Sequence, residues 1–404
     1  MEINKEAIAE FLVLRYIIGD KTFQNGKKAE LPSIPPFETY EKATIEDVEE
    51  NLKESLHKQI KNKKRIGISL SEGKDSRLLL SMIKSLGIDA TAFTIGDIPG
   101  RDEEKVAKKV AKSLNIPHKT ILVPKQISSS IINETVKLTD GAVSFHSLLP
   151  SYILKDELSN EFDVIITGNL LTEIMDTCEW RPWETKDKFA IMKSKHFKGL
   201  PIVTKKYQKK VEENFKKEFK DKSLEQIIME TEVRNKRLQV SKALDKAGLP
   251  PRKTPILDTD ALSSVFSLPL EERSGGKLVT TLLKNSHPHL LNIRSTRSPF
   301  PLFFPYWIHF GYKKIKDELL YLLNGNKLWN GKKRKNKLGQ WDQGYYIKYN
   351  IGEEIKKATQ NLEIDVINRN FANIILEEHF AEKKDNFSYL PRLLTIHKWL
   401  DLYT

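Results

Sequence analysis

Apolar side chains recur at helical spacing through residues 44–62, where Ile45, Val48, Leu52 and Leu56 share one face. Thr44 stands just before them and acidic residues fill the first turn, as a capped helix start requires. From Arg65 the pattern changes, and short apolar runs alternate with longer amphipathic ones. RIGISLS (65–71), DATAFTIG (89–96), HKTILVP (118–124) and EFDVIITG (161–168) predict buried strands. SRLLLSMIKSLG (76–87), closed by Gly87, and RDEEKVAKKVAKSLN (101–115), with Val106, Val110 and Leu114 on one face, predict the helices between them. Further helices are expected over 126–139 and 147–158. Strands separated by single helices imply an α/β fold, a doubly wound parallel sheet covered on both faces. Beyond residue 180 the pattern turns helical and Lys-rich, with no further clear strand. PPRKTPILD (250–258) and STRSPFPLFFPYW (295–307) read as Pro-marked irregular segments, and LPRLLTIHKWLDLY (390–403) as an amphipathic helix. The expected organisation is a lead-in over 1–43 and an α/β domain over 44–310 with a Lys-rich helical insert near 185–250. A helical C-terminal extension over 311–404 packs on the same domain.

Composition narrows the class. The 404 residues are 39% hydrophobic with 18 Phe and 6 Trp, enough to bury a core and to argue against general disorder. The single cysteine, Cys178, excludes a disulfide scaffold and a Cys-based zinc site. The N-terminus lacks the basic, apolar and small-residue succession of a secretory signal, and no apolar run approaches the roughly 20 residues that span a bilayer. A soluble cytoplasmic protein without a membrane partner is expected. The net charge of +13 is local: residues 191–250 carry +8 and residues 311–340 carry +7. Such stretches attract a polyanion such as RNA, but no RNA-module motif accompanies them, so solvated lysine faces are the preferred explanation.

The candidate chemistry lies between the first strand and its helix, in LSEGKDSRLL (70–79). Leu70 to Ser76 sit at a strand's carboxyl end and lead into a helix N-terminus, where backbone N–H groups attract anions. Ser71, Gly73 and Ser76 are small enough for a phosphate to approach, and Lys74 can neutralise charge there. Asp75 cannot bind phosphate directly; its sensible role is to hold a magnesium ion bridging phosphate oxygens. Neither GxxxxGK[ST] nor GxGxxG occurs. The loop resembles the pyrophosphate loop of the ATP-pyrophosphatase (PP-loop, adenine-nucleotide alpha hydrolase-like) superfamily, Ser-Gly-Gly-x-Asp-Ser, with Glu72 in place of the first Gly. More specifically, the chain looks like the synthetase domain of asparagine synthetase and its relatives. EFLVLRYIIGDKTFQNGKKAELPS (10–33) resembles their interdomain lead-in, and VIITGNLLTEIMD (164–176) stands where they carry Thr-Gly-x-Gly-x-Asp-Glu. KTPILDTDALSSVFSLP (253–269), SGGKLVTTLLKNSHPHLLNIRST (274–296) and LLTIHKWLDLY (393–403) continue the resemblance in order.

That resemblance implies an ATP- and magnesium-dependent ligase forming AMP and pyrophosphate, which adenylates a small-molecule or peptide carboxylate and transfers it to an amine. ATP would lie over Leu70, Ser71, Glu72, Gly73, Lys74, Asp75 and Ser76, with its adenine near Thr94 and Ile95 and with Gly168 beside it. Magnesium would be held by Asp75 and Glu173, with Glu72 as a further ligand. The family's metal-binding Asp falls on Thr172, whose hydroxyl is a weaker magnesium ligand, and Glu173 or Asp176 would substitute. Lys277 and Arg297 are the candidate catalytic cations. Relatives that use glutamine begin with Cys after the initiator Met; here Glu2 follows Met1, so nitrogen is expected from ammonia, an amine or a separate glutaminase. A tRNA-modifying relative that adenylates a base, and a degenerate nucleotide-binding scaffold, are the competing expectations. The pair His287 and His289 lacks further ligands at zinc spacing, and Cys178, Trp180 and Trp183 read as packing residues.

Overall fold

The structure, a computed structural model, describes residues 1–96, 102–124, 127–176, 187–296, 299–304, 308–309, 311–312, 315, 351–381 and 383–404. Arg297, Cys178, Trp180 and Trp183 lie outside the described residues, as does most of the basic stretch 311–340.

Strands β1 (Ile66–Ser69), β2 (Thr91–Gly96), β3 (His118–Leu122), β4 (Val164–Thr167) and β5 (Arg252–Lys253) form one sheet of order β3-β2-β1-β4-β5, parallel throughout. The first four fall where apolar runs predicted them. β5 is a correction, because the chain over 250–258 was expected to be irregular. Arg252 and Lys253 pair with Ile165 and Ile166 at the sheet edge. Two residues after Pro250 and Pro251 are too few to show a period of two, and proline is tolerated at such an edge.

Helix α1 (Lys5–Leu14) belongs to the lead-in. Helix α2 (Ile45–Ile60) starts at Thr44 in a reciprocal capping box with Asp47. Helices α3 (Lys74–Ser85) and α4 (Asp102–Ser113) connect β1 to β2 and β2 to β3. Alternate strand side chains enter different cores, as a pleated sheet demands. Ile66, Ile68, Ala92, Val164 and Ile166 pack with α2, α3, α4 and helices Thr259–Ser267 and Lys277–Ser286. Phe93 and Ile165 point to the other face, where the Phe93 and Phe162 rings stack with centroids 4.9 Å apart. Gly67 is required against that ring, since a Cβ would lie 2.7 Å from it.

A third core gathers α1, the helix Lys205–Phe219 and the helix Leu390–Tyr403. The Lys-rich helix buries Tyr207, Val211, Phe215 and Phe219 and leaves most of its lysines exposed. Buried Glu10 ties α1 into this core by accepting from Ile18 N–H at 3.0 Å, Asn214 Nδ2 at 2.9 Å and Lys21 Nζ at 2.5 Å. The C-terminal helix is not amphipathic as expected. Every residue from Leu390 to Ile396 is buried, as is Trp399, whose Nε1 donates to Asp140 Oδ1 at 2.9 Å. Among the described residues no helix is long and apolar enough to cross a membrane.

His146 links the chain before β4 to this C-terminal helix. Burial pushes its pKa down to about 3, and the charges of Arg392 and Arg15 push the same way. The unfolded chain, with an ordinary imidazole near pH 6.5, therefore binds the proton first as pH falls. Stability should be fully present above about pH 6.5 and decline towards pH 3, by at most about 1.4 kcal/mol per pH unit. His146→Gln keeps a polar partner for Ser144 and cannot titrate. Its thermal midpoint should fall less between pH 7 and pH 4.5 than that of the wild type; equal falls would exclude His146 as a cause.

Candidate active site

The strand order reverses between β1 and β4: the chain runs outward through β2 and β3, then returns to β4 on the other side of β1. Loops diverge at such a point, and their carboxyl-end crevice is where open α/β sheets bind ligands. The two loops here are Leu70–Gly73, after β1, and Gly168–Leu170, after β4. Leu70 N–H donates to Phe93 O at 2.8 Å. Ser71 Oγ accepts from Gly73 N–H, and Ser76 Oγ accepts from Ser71 N–H, both at 3.1 Å. Gly73 carries no side chain to cap α3, which leaves first-turn N–H groups for water or an anion.

Gly168 sits directly against the start of α3. A Cβ there would lie 3.0 Å from both Asp75 C and Ser76 N, tighter than ordinary contact, so a larger residue would press the loops apart. Leu170, where relatives carry their second Gly, keeps φ at 81°. The helix Leu171–Met175 follows and carries Thr172, Glu173 and, just beyond it, Asp176. Thr172 Oγ1 donates to Asp75 Oδ2 at 2.5 Å. Burial pushes the Asp75 carboxyl up to about 6; the Thr172 hydrogen bond opposes this and the Glu173 carboxylate adds to it. Glu173 Oε1 accepts from Arg237 Nη2 at 3.0 Å. Lys74 Nζ donates to Thr280 Oγ1 at 3.0 Å. Burial lowers the Lys74 pKa, while the charges of Asp176 and Asp75 oppose that shift.

The structure thus brings Lys74, Asp75, Gly168, Thr172 and Glu173 together. Thr94 ends nearby, its hydroxyl donating to Leu70 O at 2.8 Å, with Ile95 half-buried beside it on β2. Glu72 is buried, and its Oε2 accepts from Thr296 N–H at 2.5 Å. Lys277 lies at the start of its helix, where its Nζ donates to Glu271 O at 2.9 Å. No local signal marks Arg237, Thr280 or Thr296 as partners, because each lies far along the chain from the group it meets. Arg77 did leave a signal, a basic residue inside the apolar run of α3. It is fully buried, donating to Glu72 O at 2.8 Å, Leu290 O at 2.9 Å and Ile293 O at 2.6 Å.

Together these elements define an α/β domain, a five-stranded parallel sheet whose candidate site lies where the strand order reverses. The asparagine synthase family model matches residues 47–401, and the chain belongs to that family. It is similar to asparagine synthetase [glutamine-hydrolyzing] 1 of Bacillus subtilis (strain 168), with 23% identity over 202 residues, covering 43% of this chain and 31% of that protein. The chain therefore spans about a third of that relative's length. Among solved structures, the predicted subunit of tRNA methyltransferase from Methanocaldococcus jannaschii superposes at a TM-score of 0.20 and 18% identity, over 37% of this chain and 74% of that one.

Gly168→Ala tests the contact between the loops. The added Cβ meets backbone on both sides and should cost about 1–3 kcal/mol, as overpacking does. The thermal midpoint should drop and ATP affinity should fall at least tenfold. Unchanged ATP affinity in a folded variant would separate this contact from nucleotide binding.

Proposed function

We propose that the protein is an ATP-dependent, AMP- and pyrophosphate-forming ligase that adenylates a carboxylate and passes its acyl group to an amine or ammonia, giving an amide. The observation that carries this is the placement of the Asp75 carboxylate between the anion-seeking start of α3 and the loop after β4, with Glu173 beside it. The family match supports the use of ATP.

Serine hydroxyls and backbone N–H groups of residues 71–76 hold the phosphates in this scheme, and Lys74 faces their charge. The adenine lies against the backbone near Thr94 and Ile95. Asp75 and Glu173 would hold a magnesium ion, a carboxylate donor set that suits it. Among the described residues no cluster of three His, Cys, Asp or Glu is arranged to hold a metal alone. The chemistry such an ion would supply is neutralisation of phosphate charge. Arg237, now on Glu173, holds that carboxylate at the site. Lys277 reaches the phosphates only by leaving Glu271 O, and Arg297 is the second candidate cation.

A substrate carboxylate oxygen attacks the α-phosphorus, the bond to the bridging oxygen of the β-phosphate breaks, and pyrophosphate leaves. The amine then attacks the acyl carbon, the acyl C–O bond breaks, AMP leaves carrying one oxygen of the substrate carboxylate, and the amine proton passes to solvent. A separate glutaminase is one source of the ammonia. Incubation with magnesium, ATP and a panel of carboxylic acids should release AMP and pyrophosphate. Asp75→Asn, which preserves shape and removes the charge, should lower that rate about 100-fold or more. Release of ADP, or full activity in Asp75→Asn, would overturn the mechanism.

A further inference from the structure

A buried cation in the third core takes no part in the proposed chemistry. Arg392, in the first turn of the C-terminal helix, is 3% exposed. Its Nε donates to Ser388 O at 2.7 Å, and its Cζ lies 5.3 Å from the centre of the Tyr389 ring. These contacts fix the guanidinium plane, yet its Nη1 is buried without a hydrogen-bond partner. His146 stands across from it. Phe145 N–H donates to Thr395 Oγ1 at 3.2 Å, one turn along the helix from Arg392. The His146 ring meets Phe387, the residue before Ser388, edge-on at 5.2 Å, and its Nδ1 lies 2.8 Å from Ser144 Oγ. His146 is half-buried and Arg15, which ends α1, is exposed, so the cluster is not sealed from solvent.

The charges here have one sign. Burial pushes the Arg392 pKa down to about 9, and the Arg15 charge pushes it the same way. The same two arginines act on His146. Among the described residues no carboxylate pairs with Arg15 or Arg392. The carboxyl end of α1 favours a cation at Arg15, but it leaves Arg392 Nη1 unmet. A buried charge in that condition is costly unless an opposite charge joins it. A guanidinium held flat, with an N–H to spare, is organised in advance for an oxyanion. A phosphate dianion offsets both arginines, where a single carboxylate offsets one. A neutral imidazole adds one further N–H donor.

We infer that Arg392, His146 and Arg15 form a second anion site, which binds the phosphate group of a small monoester or free phosphate where α1, the chain before β4 and the C-terminal helix meet. The site stands whether or not the chain is a ligase. The full chain is dialysed at low ionic strength against labelled inorganic phosphate or labelled glycerol 3-phosphate. Magnesium and an ATP analogue whose α,β bridge is methylene are present, to occupy the loops after β1 and β4. One phosphate group per chain should bind. Arg15→Ala should weaken it about fivefold or more, and Arg392→Gln about twentyfold or more, with the analogue bound as in the wild type. Because Arg15 is exposed, its variant carries the test even if Arg392→Gln does not fold. Tighter binding of glycerol 3-phosphate supports the site as one for a monoester, and equal or tighter binding of inorganic phosphate supports it as one for the ion. Unchanged affinity in Arg15→Ala, or phosphate binding that disappears whenever the analogue is bound, would overturn it.

Discussion

The contact between Gly168 and the backbone of Asp75 and Ser76 fixes everything around it. β1 and β4 run side by side with Ser69 opposite Thr167, so their loops emerge together. One must turn into α3 while the other crosses its first residues, and a Cβ between them would be crowded at 3.0 Å. The turn is completed at Leu170, whose left-handed backbone costs a non-glycine residue roughly 1–2 kcal/mol. Its side chain is buried, and packing of that kind lets a strained backbone persist. The short helix that follows then points Thr172 at Asp75 and sets Glu173 beside it. A crowded backbone, rather than any single side chain, decides where the acidic groups stand.

Charge is laid out around that contact in opposition. Asp75, Glu173 and Asp176 are acidic; Lys74 and Arg237 are the cations that meet them. Burial works against both Asp75 and Lys74, raising one pKa and lowering the other. Such opposed shifts cluster at sites that bind charged ligands, although buried ion networks also produce them. Here they coincide with a strand-order reversal and a helix start free of a side-chain cap, which favours the functional explanation.

Local signals in the sequence were legible where one element writes its own period. Four strands, the Thr44 cap and the loop through Asp75 could be placed because each is marked within a few residues. β5 could not, since Arg252 and Lys253 are too short and too polar to look like a strand. The C-terminal helix misled for a different reason. Arg392 and Thr395 look like a polar face, yet Arg392 Nε donates to Ser388 O at 2.7 Å and Thr395 Oγ1 to Pro391 O at 2.7 Å. Backbone acceptors let these polar side chains turn inward. The long-range partners of the site were invisible for want of any local mark. Nothing around residue 237 announces Glu173, and nothing around residue 296 announces Glu72.

Glu72 shows how a departure from the family's loop can be absorbed. A carboxylate in place of glycine would repel phosphates if it faced them. It is instead buried with Arg77, whose charge would itself be costly to leave uncompensated. Carbonyl oxygens at Glu72, Leu290 and Ile293 surround the guanidinium, and the Glu72 carboxylate reaches past it to Thr296 N–H. The extra side chain therefore sews the loop to a segment far along the chain. A glycine at that position could make the turn but not this link. Residue 72 thus ties the loop after β1 to the chain at Thr296.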